Sequence, residues 1–251
     1  MCTVSWIHED AGYQLFCNRD EKLARSAATK PQLLCRYGVR ILAPIDGDAG
    51  GTWIATNEFG ITVCLLNGTF ERASPSSVGW RSRGLLVLDL ASAESIQDVQ
   101  SRIWQSDLLR YEPFTLAVLE PGQYTLVIEW DGVEKRILPF GEPYMPLASS
   151  SFDAAEAQRT RHREFEKLNT AGTLHAIPLL VFHRSHVPDR GAYSPCMHRA
   201  DAETASFSWI TVNGTEASFY YSAGPPCRSL AGASYNLALR QEDEVSCLAC
   251  C

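Results

Sequence analysis

Short segments that alternate apolar and polar residues, broken by Gly, Asn and Asp, recur along this chain and constrain its fold more than any other feature. "CTVSWI" (2–7) and "YQLFCN" (13–18) flank the turn residues Asp10 to Gly12. "TWIAT" (52–56) and "ITVCLLN" (61–67) flank Asn57-Glu58-Phe59-Gly60, and "FSWITV" (207–212) meets "ASFYY" (217–221) across Asn213 to Glu216. "FTLAVL", "YTLVIEW" and "VEKRILPF" follow one another with "EPG" and "DG" between them. A two-residue side-chain period closed by a tight turn is the signature of a hairpin, so the sheets are expected to be largely antiparallel.

Two segments break the pattern with helical spacing. Residues 94–109 carry Ile96, Val99, Ile103 and Trp104 behind Ser92 as candidate N-cap. Residues 154–168 start three before Glu156 with Asp153, a capping-box-like arrangement, and place Ala157, Arg161, Phe165 and Leu168 on one side. Sheets with a few helices give an α+β class. No internal repeat or linker interrupts the chain, so one domain is expected over residues 1–245, followed by a flexible Cys-rich tail over 246–251.

A net charge of −7 removes the broad basic face that nucleic-acid binding needs. No run approaches the ~20 apolar residues of a transmembrane helix. The first residues lack a basic region followed by an apolar stretch, so a cytoplasmic location is expected. Nine cysteines, an odd number scattered through the chain, do not form a disulfide framework and are expected to be reduced. Asn67-Gly68-Thr69 and Asn213-Gly214-Thr215 are read as turn chemistry rather than glycosylation sites. Gly47 to Gly51 lacks the lysine of a phosphate loop and is read as a turn before a strand.

The opening residues suggest a site. Folding the first hairpin about a centre between Asp10 and Gly12 sets Cys2 opposite Arg19 or Asp20, which gathers a thiol, a guanidinium and a carboxylate at one sheet end. Removal of Met1 would give Cys2 a free α-amino group with an ordinary pKa of about 8, suited to act as a base near neutrality. A thiol beside its own amine is an activated nucleophile. Arg19 is expected to favour the thiolate, and Asp20 to hold the ammonium.

"MCTVSW", "CNRDE" (17–21), "GDAGGTW" (47–53), "NEFG" (57–60), "LLN" (65–67) and "RSRG" (81–84) together resemble the NRDE family, the transport and Golgi organisation family. That family is similar to N-terminal nucleophile hydrolases of the bile-salt hydrolase and penicillin acylase branch. The resemblance implies a four-layer αββα sandwich of two antiparallel sheets with helices outside. It implies Cys2 as nucleophile, Asp20 as the carboxylate holding the amine, Arg19 as the neighbouring arginine and Asn67 as oxyanion donor. Asn18, Glu21, Trp53, Asn57 and Ser150 are the candidate substrate contacts. The second site asparagine of those hydrolases has no clear match here. Ser149 or Ser150 stands at its place, and the downstream arginine is Arg159, Arg161 or Arg199.

Two functions follow as expectations. One is a thiol amidohydrolase or acyltransferase acting on a small amide or thioester. The other is a carrier that binds haem or an acyl-CoA-like lipid in the same cleft, a reading that the haem-trafficking and lipid associations of eukaryotic relatives imply. No cofactor is expected for catalysis, and haem enters only as a ligand. The Cys-Pro dipeptide usual for haem is absent, with "SPC" (194–196) and "PPC" (225–227) in reverse order. No metal site is expected: His175, His183, His186 and His198 lack zinc-binding spacing, and the tail Cys247-Leu248-Ala249-Cys250 has no second pair. Trp6, Trp53, Trp130 and Trp209 are expected mostly in the core.

Overall fold

The structure, a computed structural model, describes residues 2–68, 79–169 and 174–241. The tail expected over 246–251 and Thr69 of the first Asn-Gly-Thr sequence lie outside these residues.

The first hairpin forms as the alternation predicts, with β1 (Cys2–Glu9) and β2 (Gly12–Lys22) paired antiparallel. A second hairpin, β3 (Gln32–Arg36) and β4 (Val39–Ala43), turns through Tyr37 and Gly38, both at positive φ. Next come β5 (Ile54–Asn57) and β6 (Thr62–Asn67), then helices α1 (Arg83–Leu90) and α2 (Ile96–Gln105). Strands β7 (Phe114–Leu119), β8 (Leu126–Trp130), β9 (Lys135–Leu138) and β10 (Leu147–Ala148) precede helices α3 (Ala154–Asn169) and α4 (Ala176–Arg184). Strands β11 (Ala202–Val212), β12 (Glu216–Ala223) and β13 (Ala233–Ala238) complete the described chain.

The strands make two antiparallel sheets. One has the order β10-β1-β2-β11-β12-β13 and the other runs β3 to β9 in sequence order. Alternation along each strand sends side chains to both faces, and three apolar clusters result. Val4, Trp6, Leu15, Ile54, Leu66, Ala117 and Phe219 fill the space between the sheets. Val63, Leu65, Leu116 and Val118 pack against Leu86, Leu90, Val99 and Ile103 of α1 and α2. Phe16 and Phe207 pack against Phe165, Leu179 and Phe182 of α3 and α4. The layers are therefore helices, sheet, sheet, helices, as the resemblance implied. Among the described residues, no helix is long and apolar enough to cross a membrane.

Local expectations hold for α3, where Asp153 accepts from the Glu156 N–H at 2.9 Å. Asn213 likewise organises its turn, accepting from the N–H groups of Thr215 and Glu216. The Ser92 cap is corrected: Ser95 caps α2 by accepting from the Asp98 N–H at 3.1 Å. The Ser92 hydroxyl donates to Asp89 O at the end of α1 instead. Of the four tryptophans expected in the core, among six in the chain, Trp6, Trp53 and Trp130 are buried and Trp209 is partly so. Cys2, Cys17, Cys64, Cys196 and Cys227 are free thiols, whereas Cys35 is disulfide-bonded, which corrects the expectation of uniformly reduced cysteines.

Candidate active site

The register of the first hairpin pairs Cys2 with Arg19, selecting one of the two partners that the sequence left open. Paired residues share a face, so Cys2 and Arg19 point between the sheets while Thr3, Asn18 and Asp20 point toward α3 and α4. Cys2 lines an open cavity of about 440 Å³, together with Arg19, Glu21, Trp53 and Asn67. Asn67 reaches it from the end of β6 in the opposite sheet, so nucleophile and amide candidates meet from two layers.

Two glycines shape the rim. A Cβ on Gly51 would lie 2.4 Å from the Gly84 carbonyl carbon, so the 46–51 turn and the start of α1 meet backbone to backbone. The Thr52 N–H donates to Gly84 O at 3.0 Å across this contact. It brings Arg81, Ser82 and Arg83 to the cavity wall. The "GDAGG" turn is thus a turn, as read, and also a wall of the site.

Arg19 sits where expected but is electrostatically occupied. Its guanidinium donates to Asp46 at 2.6 Å and Glu21 at 3.3 Å, and lies 4.3 Å from the centre of the Trp53 ring. Asp46 also accepts from Arg25 at 2.8 and 3.0 Å and from the Ala49 N–H at 2.9 Å. Burial raises the Asp46 carboxyl, but the Arg25 hydrogen bonds, the Ala49 N–H and the Arg19 charge together hold it below its ordinary value. The Cys2 thiol is pushed well up, first by its hydrogen bond with Cys17 and then by burial. The expected thiolate stabilisation by Arg19 is therefore not the dominant effect: two carboxylates absorb that charge.

Asp20 is 1% exposed and serves the helix side. It accepts from Thr204 Oγ1 at 2.6 Å and from Arg161 at 3.4 Å. Arg161, also 1% exposed, donates as well to Thr3 Oγ1 at 2.7 Å and to Cys2 O at 3.4 Å. Arg161 is thus the arginine at the site, while Arg159 pairs with Glu156 and Arg199 with Asp201 at the surface. Arg161 joins the Asp20 carboxylate to the backbone of Cys2.

Ser149, rather than Ser150, touches Cys2. The Cys2 N–H donates to Ser149 Oγ at 3.0 Å, and the Ser149 N–H returns a bond to Cys2 O at 2.9 Å. Ser150 accepts from the Phe152 N–H and does not line the cavity. Asn57 is also displaced from its expected role. Its carboxamide donates to Ala91 O and Ala93 O and accepts from the Phe59 and Ile61 N–H groups, tying the β5–β6 turn to the end of α1. Asn18 faces away from the cavity and donates to His183 O and Pro195 O, each at 2.8 Å. Glu21 and Trp53 remain at the cavity as expected.

Sequence reasoning missed Asp46, Arg25 and Thr204. Asp46 was hidden because Asp before Gly is ordinary turn chemistry, and Thr204 because its strand position reveals nothing about a partner on β2.

The fold is similar to solved N-terminal nucleophile hydrolases. Penicillin V acylase from Agrobacterium tumefaciens aligns with a TM-score of 0.57 at 11% identity, over 90% of this chain and 84% of that one. The mutant C2A of conjugated bile acid hydrolase from Clostridium perfringens aligns at 0.56 and 10%, over 98% and 99%. The Caenorhabditis elegans ortholog of N-acylethanolamine-hydrolyzing acid amidase aligns at 0.56 and 12%, over 84% and 92%. Identities this low establish the fold and leave the chemistry to the residues. No curated protein sequence matches the chain. The family model for Transport and Golgi organisation 2 matches residues 1–174, which carry the first hairpin, the "GDAGG" turn, Asn67 and Arg161, and the chain therefore belongs to the Transport and Golgi organisation 2 family.

Proposed function

We propose that this protein is a cysteine N-terminal nucleophile enzyme, an amidohydrolase or acyltransferase for a small amide or thioester. The observation that carries the reading is the meeting of Cys2 and Asn67, from opposite sheets, on one cavity. Removal of Met1 leaves the Cys2 amine beside Ser149 Oγ, which already holds that nitrogen. A thiol whose pKa is raised by a hydrogen bond with a neighbouring thiol and then by burial needs a base within reach, and its own amine supplies one.

In the reaction, the Cys2 sulfur attacks the substrate carbonyl as its proton passes to the α-amine. Asn67 donates its amide N–H to the developing oxyanion, a contact worth about 3 kcal/mol in comparable sites. The carbon–nitrogen or carbon–sulfur bond then breaks, and the departing group takes the proton from the ammonium. Water, or an acceptor nucleophile in the transferase case, attacks the resulting thioester while the amine again receives the proton. The acyl group leaves, and the proton returns to sulfur. Arg161 is a positioning residue that connects the Cys2 carbonyl to Asp20.

A carrier reading draws on the cavity's charge. Arg19, Arg25, Arg81 and Arg83 face Glu21, Asp46 and Glu112, a surplus of one guanidinium suited to the carboxylates of haem or the phosphates of an acyl-CoA. A panel of acyl amides and thioesters with wild type and Cys2→Ala separates the two. The enzyme reading expects turnover and a Cys2 thioester in wild type alone. Equal ligand retention by both proteins, with no turnover by either, favours the carrier.

A further inference from the structure

Behind the candidate active site, on the helix side of the β2–β11 pair, four metal-ligating side chains converge, three from the 185–201 connection and one from Cys227 after β12. One ligand atom each from His186, Cys196, His198 and Cys227 lies within 4.8 Å of all the others. His183, three residues before His186, is not one of the four: it is fully buried, and its Nε2 lies 2.8 Å from Ser5 Oγ. His186 turns instead toward His198, with ring centres 5.1 Å apart.

We propose that these four residues bind one zinc ion in a structural Cys2His2 site. Tetrahedral zinc, with sulfur at about 2.3 Å and nitrogen at about 2.0 Å, requires ligand atoms roughly 3.3 to 3.8 Å apart. His198 Nε2 lies 3.3 Å from Cys227 Sγ and 3.7 Å from Cys196 Sγ, within that range. His186 Nε2 is buried and has no hydrogen-bond partner among the described residues. The other ring nitrogen of His198, Nδ1, is 3.5 Å from Glu203, whose carboxylate is held by Arg228 at 2.8 Å. A carboxylate behind a ligating imidazole is the usual way to fix the tautomer of a metal-binding histidine. Two thiolates neutralise the ion, and the mixed sulfur and imidazole set suits zinc over harder divalent cations.

The site explains how residues 185–201, a connection with no helix or strand, are held in place. The same segment supports the candidate active site. Tyr193 O accepts from Arg161 Nε at 3.3 Å, and the Met197 N–H donates to Thr204 Oγ1, the group that donates to Asp20. Zinc at Cys196 and His198 therefore fixes the backbone behind the Asp20–Arg161 pair.

The test is elemental analysis of untagged full-length protein, purified without chelator from zinc-supplemented cells, together with absorption spectra after cobalt exchange. The expected result is one zinc per chain and the visible bands of tetrahedral cobalt with sulfur ligation. Cys227→Ala loses the metal, while a Cys247→Ser, Cys250→Ser, Cys251→Ser variant of the tail keeps it. Metal well below one per chain in folded wild type overturns the proposal, as does octahedral cobalt, a Cys196–Cys227 disulfide found by peptide mapping, or metal loss from the tail variant alone. Wild-type stoichiometry and spectrum decide the matter even if Cys227→Ala fails to fold.

Discussion

Cys2 and Ser149 hold each other by a reciprocal pair of hydrogen bonds, Cys2 N–H to Ser149 Oγ at 3.0 Å and Ser149 N–H to Cys2 O at 2.9 Å. The side-chain half of this pair bears on the nitrogen that the proposed mechanism uses as a base. Ser149→Ala is expected to cost about 1 kcal/mol of stability, as for one ordinary hydrogen bond. It is also expected to slow Cys2 alkylation several-fold and to shift its pH profile, since the amine loses its partner. Timed alkylation across pH 6 to 9 with peptide mapping provides the readout. An unchanged profile would assign Ser149 a purely structural role.

The Asp20–Arg161 pair is 1% exposed on both sides. Removing one member of such a pair leaves a buried charge unmatched, so Arg161→Met and Asp20→Leu should each destabilise by about 3 to 5 kcal/mol. The double variant should lose much less than the sum, because neither charge is then stranded. Urea unfolding of the four proteins measures this, and additive losses would mean that the two groups do not depend on each other.

How much of this arrangement could be read from the sequence varied with the locality of the signal. The β1–β2 and β11–β12 hairpins were legible because strict alternation closes on Asp-Ala-Gly and Asn-Gly-Thr-Glu. The β3–β4 hairpin was not, because Tyr37 occupies a positive-φ turn position usually held by Asn, Asp or Gly. Helix α1, "RGLLVLDL", is too short and too continuously apolar to show a helical period, and Pro178 in the first turn of α4 disguises that helix. At the site, hairpin arithmetic alone narrowed the partner of Cys2 to Arg19 or Asp20, and the register gives Arg19. Asp46, Thr204 and the partner of His198 did not, because tertiary packing brings them in from other elements.

Asn67 is half-buried at a strand end, so its substitution should spare the fold. Asn67→Ala is expected to lower the rate of Cys2 acylation by an activated thioester roughly 10²- to 10³-fold, the usual cost of an oxyanion donor, with little change in unfolding midpoint. Stopped-time intact mass follows the acylation. A rate within a factor of about three of wild type would remove Asn67 from the chemistry.

His183 is buried without charge, and burial together with the Arg161 charge pushes it from its ordinary 6.5 down to about 3. Between those values the unfolded chain binds a proton that the folded chain does not, so stability falls as pH drops below about 6.5. This single group contributes a slope of about 1.4 kcal/mol per pH unit. His183→Gln lacks the titration, and its stability should depend correspondingly less on pH between 6 and 4. Equal slopes for the two proteins in denaturant titrations would mean that His183 is accessible to protons in the fold.

The most direct test of the central claim is intact-mass analysis of the full-length protein before and after brief exposure to a small acyl thioester near pH 7, with the adduct mapped to its residue. The account predicts a chain lacking Met1 that gains one acyl group on Cys2 and none on the other thiols, and that sheds it on standing in water. A chain that retains Met1, or one that acylates elsewhere or not at all at Cys2, would contradict it.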